Sequence, residues 1–225
     1  MIDNISVVIS SCLNRPEREG YLQRCIENIK ETMGDVEILI GFDRYGKEID
    51  GAKCYTHEMG LGHSWNWGIQ NASNEFILQM EDDWTIVFKK GHVESLREDI
   101  IEKIPILKKF DGIYRFGNLC SDNAPWYNGY LTLNIDGREI YELKRMDSYK
   151  HNDFSMYYYS NQPHFKKKDI HSKIGYYKEN EPPHAVESHM CENYYMSSKK
   201  VFFSPSDSFD FVHIGQARSR EWEDR

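Results

Sequence analysis

Phe76-Ile77-Leu78-Gln79-Met80-Glu81-Asp82-Asp83 is an apolar run that stops abruptly at three carboxylates. Its first five residues read as a buried strand. Three adjacent negative charges repel one another, so the end of that strand needs either solvent or a counter-charge. In isolation the tripeptide reads as a solvated acidic turn. A hard cation is the alternative, because Mg²⁺ or Mn²⁺ takes carboxylate oxygens and shares its remaining positions with phosphates and waters. What decides between the two is where the strand lies in the fold.

Working outward, Ile5-Ser6-Val7-Val8-Ile9-Ser10-Ser11 reads as a buried parallel strand. Pro16 and Glu17-Arg18-Glu19 then open a helix whose apolar positions Tyr21, Leu22, Cys25, Ile26 and Ile29 recur at helical spacing. Val36 to Phe42 is a second strand, closed by Asp43-Arg44-Tyr45-Gly46, and Cys54-Tyr55 a short third one. His63 to Ala72 reads as a helix with Trp65, Ile69 and Ala72 on one side. This alternation predicts an α/β fold with a mostly parallel sheet covered by helices. Ligands of such sheets bind at the carboxyl ends of the strands, which is where Ser11 to Arg15, Asp43 and Glu81 to Asp83 fall.

The second half is less regular. A helix is expected over His92 to Lys109 with an interruption at Pro105, and strands over Gly112 to Asn118 and Gly129 to Ile135. Arg138 to Leu143 is expected to pair with the latter as a hairpin, Glu187 to Ser197 to be a helix and Val201 to Phe203 a strand. With no internal repeat or low-complexity linker, residues 1–225 read as one domain. Residues 1–90 form its nucleotide-type half, and residues 91–225 its substrate-shaping half and tail.

Composition narrows the function classes. At 225 residues and 40% hydrophobic, 28% charged, the chain has the makeup of an ordered globular protein. No apolar run approaches the roughly 20 residues of a membrane span, and the first ten residues carry Asp3 and lack the basic region and small-residue cleavage site of a secretory signal. A cytoplasmic, soluble setting is the expectation. A net charge of -8 argues against a nonspecific duplex-DNA binder, and no nucleic-acid partner is expected. The five cysteines include no CxxC pair, which argues against a structural zinc site or a disulfide framework. Aromatic residues reach 14%, and tyrosine and tryptophan suit surfaces where apolar faces meet hydroxyl-rich ligands.

Ile5 to Arg15, Asp43, the segment Gly60-Leu61-Gly62-His63-Ser64-Trp65-Asn66-Trp67-Gly68-Ile69 and Phe76 to Asp83 together resemble a GT-A glycosyltransferase, close to family 2. The resemblance implies a Rossmann-like fold with a mostly parallel central sheet flanked by helices and a smaller antiparallel element in the second half. It implies that Ser11, Asn14 and Arg15 border a nucleotide, that Asp43 contacts its base, and that Asn66 helps close the pocket. Asp82 would lie near the ribose and phosphates, beside Glu81, with Asp83 as the direct ligand of Mn²⁺ or Mg²⁺. Beginning the acidic motif with glutamate departs from the commonest Asp-X-Asp pattern and leaves the individual carboxylate roles open.

Sugar transfer with inversion needs a carboxylate to take the acceptor's hydroxyl proton. The resemblance places Glu187 at that position, ahead of the strand-Pro element Val201 to Pro205, with Glu192 as second choice. His213, in Phe211-Val212-His213-Ile214-Gly215, is implied as a further metal or diphosphate ligand, and Arg218 with Arg220 as clamps on the diphosphate. Tyr157 to Phe165, Trp126 and Tyr127 are candidate acceptor surfaces, and Lys166-Lys167-Lys168 reads as a solvated face. The expected partners are a nucleoside-diphosphate sugar, a UDP-sugar first, and a glycan or glycoconjugate acceptor. Two other readings stand beside this one. A nucleotidyltransferase would place a Gly-rich basic loop where Ser-Ser-Cys-Leu-Asn-Arg-Pro stands, and a noncatalytic carbohydrate-binding protein would not need the acidic triplet.

Overall fold

The computed structural model describes residues 5–89, 96–116, 130–144, 159, 161–204 and 209–215. Strand β1 (Ile5–Ser11) leads into helix α1 (Pro16–Met33), followed by β2 (Glu37–Asp43), β3 (Lys53–His57), α2 (Gly60–Asn71), β4 (Phe76–Glu81) and β5 (Trp84–Phe88). Two short helices, α3 (Leu96–Ile101) and α4 (Ile104–Lys109), precede β6 (Gly112–Arg115) and the hairpin of β7 (Tyr130–Ile135) and β8 (Arg138–Leu143). Then come β9 (His164–Lys167), α5 (His171–Ile174), α6 (Pro183–Met196), β10 (Lys200–Phe203) and β11 (Phe209–His213).

Nine strands form one sheet in the order β3-β2-β1-β4-β9-β6-β10-β8-β7. All but β9 and β8 run in one direction, as their pairings show. A separate two-stranded antiparallel sheet joins β5 to β11. The architecture is thus α/β with a mostly parallel central sheet, as the alternation of elements predicts.

Period-two alternation explains how the centre is filled. In β1, Ile5, Val7 and Ile9 pack with Leu22, Cys25, Ile26 and Ile29 of α1, while Val8 packs with Trp65 and Ile69 of α2 on the other face. Every residue of β1 is buried, which is why its sequence is a β-branched run and not an alternating one. Each fully buried aliphatic side chain there contributes about 1.5–3 kcal/mol. Helix α2 lies unusually close to its neighbours: a Cβ on Gly68 would run into the Val8 side chain, and one on Gly62 into the Lys178 carbonyl.

The helix break expected at Pro105 falls just before it: the described residues form helices over 96–101 and 104–109, and Pro105 stands in the first turn of the second, where its missing N–H costs no hydrogen bond. Strand β4 ends at Glu81 as expected, the chain turns at Asp82-Asp83, and β5 leaves for the second sheet. The lysine triplet is not a solvated face. Strand β9 inserts between β4 and β6, and its period of two turns Lys166 inward, where it is fully buried and donates to Gln79 Oε1.

Candidate active site

The parallel register of β1 and β4 pairs Ser10 with Glu81, so both strands end side by side. The Asp82 N–H donates to the Ser10 carbonyl at 3.2 Å, and Ser11 Oγ donates to Asp82 Oδ2 at 2.6 Å. Arg18, in the first turn of α1, reaches back across this edge. Its Nη2 donates to Asp82 Oδ1, and its Nη1 lies 3.3 Å from Asp83 Oδ2. Asp82 is fully buried and Asp83 nearly so.

Asp83 is then fixed by the second sheet. Register opposes Trp84 to His213, and the Ile214 N–H donates to the Asp83 carbonyl at 2.8 Å. His213 Nε2 lies 3.2 Å from Asp83 Oδ2, with its ring edge-on to Trp84 at 5.1 Å between centroids. A Cβ on Gly215 would collide with the Asp83 carboxylate, so this glycine lets the strand end close over it. Asp83 Oδ1 is buried with no hydrogen-bond partner.

Burial pushes the Glu81 carboxyl up to about 8, reinforced by the negative charges of Asp83, Glu187 and Asp82. Burial likewise raises Asp82 to about 7, against the pull of Arg18 and Ser11. The cluster therefore has an excess of negative charge that one guanidinium leaves incompletely compensated.

Glu187, in the second turn of α6, faces the same edge. It is half-buried, and its Oε1 accepts the Asn161 N–H at 3.0 Å. Glu192 does not join it. Five residues further along a helix is roughly 140° around the axis, and Glu192 is exposed to solvent. Arg115, buried at the end of β6, lies within the field of Glu187; burial lowers its pKa to about 10. It donates to Gln162 Oε1 at 2.8 Å, next to the residue that holds Glu187.

Other sequence candidates are placed differently. Asp43 ends β2 in full burial, and its Oδ1 accepts the Gly60 N–H at 3.0 Å, anchoring the start of α2. Asn66 is buried and brackets the loop before α6: it donates to the Tyr177 carbonyl and to Glu179 Oε1, and accepts the Tyr177 N–H, each at 2.9 Å. Asn14 and Arg15 are half-buried in the β1–α1 loop, and Asn14 Oδ1 has no hydrogen-bond partner. Arg218, Arg220, Trp126, Tyr127, Tyr157, Tyr158 and Ser160 lie outside the described residues. Tyr159, Asn161, His164 and Phe165, expected to face an acceptor, are instead buried. Tyr159 OH bonds Tyr177 OH and lies 3.3 Å from His164 Nε2, and Gln79 Nε2 donates to Tyr177 OH at 2.7 Å.

The sequence reading missed Arg18 and Arg115. Arg18 stands among Glu17 and Glu19 on an amphipathic helix and carries the local signature of a solvated residue; its partner Asp82 lies 64 positions away, so only the fold reveals its role.

A cavity of about 100 Å³ opens on this edge, lined by Ser10, Ser11, Cys12, Arg18, Leu61, Glu81, Asp83 and Pro183. A larger groove of about 710 Å³ lies at the opposite strand ends, beside Glu37, Lys53 and Arg97, remote from the carboxylates. Among the described residues no group of three or more His, Cys, Asp or Glu side chains is arranged as a closed metal cage. Asp83 and His213 instead offer a partial set, with an unused carboxylate oxygen. That fits a hard cation that draws its other ligands from phosphates and water.

No protein-family model matches the sequence, and no curated protein matches it. Solved structures do. A TarS fragment, residues 1–349, from S. aureus, crystallised with UDP-GlcNAc, superposes with a TM-score of 0.65 at 11% identity over 97% of this chain. GalNAc-T7, solved with UDP, GalNAc and Mn²⁺, gives 0.60 at 12% identity over 97%. The mannosyltransferase PcManGT from Pyrobaculum calidifontis, solved with GDP-Man and Mn²⁺, gives 0.57 at 10% identity over 97%. The chain has the GT-A fold. It spans 60%, 45% and 59% of those three solved chains, respectively. In this GT-A fold the carboxylate edge, the Arg18 contacts and Glu187 lie together at the carboxyl ends of the parallel strands, where open α/β sheets bind ligands. Among the described residues no helix is long and apolar enough to cross a membrane.

Proposed function

We propose that this chain is a divalent-metal-dependent glycosyltransferase that moves a sugar from a nucleoside-diphosphate donor, a UDP-sugar first, to a hydroxyl of a glycan or glycoconjugate with inversion. The observation that carries the reading is Asp83: a buried carboxylate with one unused oxygen, beside His213, at the strand edge where GT-A folds meet their ligands. Asp83 and His213 would hold Mn²⁺ or Mg²⁺, which supplies Lewis-acid stabilisation of the departing diphosphate.

The chain's own residues do the rest. Ser11 and Arg18 fix Asp82, and the turn between β4 and β5 presents Asp83. Glu187, oriented by the Asn161 N–H, faces the edge from α6 and removes the acceptor's proton. Asn66 ties the segment before α6 to α2, closing that side of the donor site. A cytoplasmic setting, and the division of one domain into a nucleotide half over 1–90 and an acceptor half over 91–225, belong to the same proposal.

The test is calorimetric titration with UDP, GDP and dTDP, each with Mn²⁺ and again with EDTA. Wild type is expected to bind one nucleotide at micromolar concentration, and binding to be lost with EDTA or in Asp83→Ala. Glu187→Gln should bind that nucleotide like wild type while turning over its sugar conjugate about 10²–10⁴-fold more slowly. Absence of binding to all three nucleotides in Mn²⁺ overturns the metal-dependent account.

A further inference from the structure

Glu81, Asp82 and Asp83 crowd one strand edge, and the fold places one permanent positive charge among them. Arg18 is almost fully buried, at 8% exposure, and its guanidinium stays charged because arginine does not deprotonate in proteins. Its two contacts are unequal. Asp82 is fully buried, takes a close bond from Nη2 and a second from Ser11. Asp83 receives only a 3.3 Å contact from Nη1, and shares the same oxygen with His213. Arg18 Nε is buried without a hydrogen-bond partner, and the side chain lines the same cavity as Glu81 and Asp83.

We propose that Arg18 is a built-in counter-ion that competes with the divalent cation for Asp83, so that the cation enters tightly only together with the nucleotide diphosphate. The inference rests on the metal-dependent donor site proposed above. A cation shared by Asp83 and His213 draws on the carboxylate whose Oδ2 both His213 and Arg18 approach, so it weakens the 3.3 Å arginine contact and leaves the Asp82 anchor in place. It then stands beside a fixed positive charge in a partly desolvated site, where repulsion is poorly screened. A diphosphate relieves both costs: its charge offsets the repulsion, and its oxygens accept from the guanidinium edge that Asp83 releases. Cation and nucleotide are therefore positively coupled, each raising the affinity for the other by the same factor.

The experiment follows free Mn²⁺ by electron paramagnetic resonance as protein is added, alone and with UDP, GDP or dTDP in turn. It uses wild type, Arg18→Lys and Arg18→Gln, each checked for folding by circular dichroism. Lysine keeps a charge for Asp82 but lacks the planar fork needed to reach both carboxylates. Mn²⁺ affinity without nucleotide is expected to rise from wild type through Arg18→Lys to Arg18→Gln, by about tenfold at the end of the series, as ordinary site couplings run. The tightening produced by nucleotide should shrink in the same order. Should Arg18→Gln not fold, Arg18→Lys alone decides. Equal or weaker bare Mn²⁺ binding in the variants, with wild type still binding Mn²⁺ and nucleotide together, overturns the role of Arg18 only. Failure of wild type to bind Mn²⁺ with any of the three nucleotides overturns the metal-dependent site and this inference with it.

Discussion

Lys166 shows how a residue's neighbours override its type. A lysine beside two others looks solvated, yet this one is enclosed between Gln79, whose Oε1 accepts a hydrogen bond from Lys166 Nζ, and the Tyr177 ring at 5.8 Å. Burial lowers its pKa well below the ordinary 10.5. Between the lowered value and 10.5 the unfolded chain binds more protons than the folded one, so this group makes stability rise with pH. Burial raises Tyr159 and Tyr177, which act in the opposite sense once tyrosines titrate near pH ~10. Glu81, raised to about 8, acts in the opposite sense in the same window, so the comparison isolates Lys166: from about pH 7.5 to about pH 9 the change in urea-melt stability should be more positive in wild type than in Lys166→Met. Equal changes in the two proteins would mean that Lys166 is solvated when folded. The same lesson applies to the acidic motif. That Glu81, Asp82 and Asp83 needed a counter-charge was legible from their adjacency, but that Arg18 supplies it was not.

At the level of elements, α2 and α6 decide the shape of the site. Gly62 lets α2 approach the Lys178 backbone, and Asn66, one turn on, fastens the same loop through Tyr177 and Glu179. That loop leads into α6 and so sets where Glu187 points. Gly62→Ala should force the contact apart and lower the unfolding free energy by about 1–3 kcal/mol, an overpacking cost only partly offset by alanine's better helix propensity. Chemical denaturation measures it, and an unchanged midpoint would show that the loop yields freely. The glycine-rich stretch 60–68 was readable as part of a resemblance, whereas its packing partner was not, because 116 residues of chain separate Gly62 from Lys178 in sequence. The rotation of α6 agrees with the order that the resemblance gave: Glu187, placed first, faces the strand ends, and Glu192, the second choice, faces the solvent.

For the whole molecule, the central sheet carries stability and its edge carries chemistry. Apolar clusters on both faces of the sheet contain no metal-dependent element, and Arg18 balances the carboxylates from within. EDTA alone should therefore leave the melting temperature unchanged. Mn²⁺ and the cognate nucleotide at about 100 times their dissociation constants should raise it by roughly 5–10 °C, from about 2.7 kcal/mol of linked binding. Scanning calorimetry distinguishes this from a structural cation, which EDTA would remove with a fall in melting temperature. Sequence by itself determined the α/β alternation, the buried parallel strands and the acidic strand end, because hydrophobic period and strand punctuation are local properties of the chain. Tertiary structure alone decided that Arg18 clamps Asp82 and Asp83, that β11 pairs with β5 so that His213 meets Asp83, and that Lys166 is interior. Each depends on the register of strands and the rotation of helices far apart in sequence, and a local pattern carries no information about which distant face will be opposite.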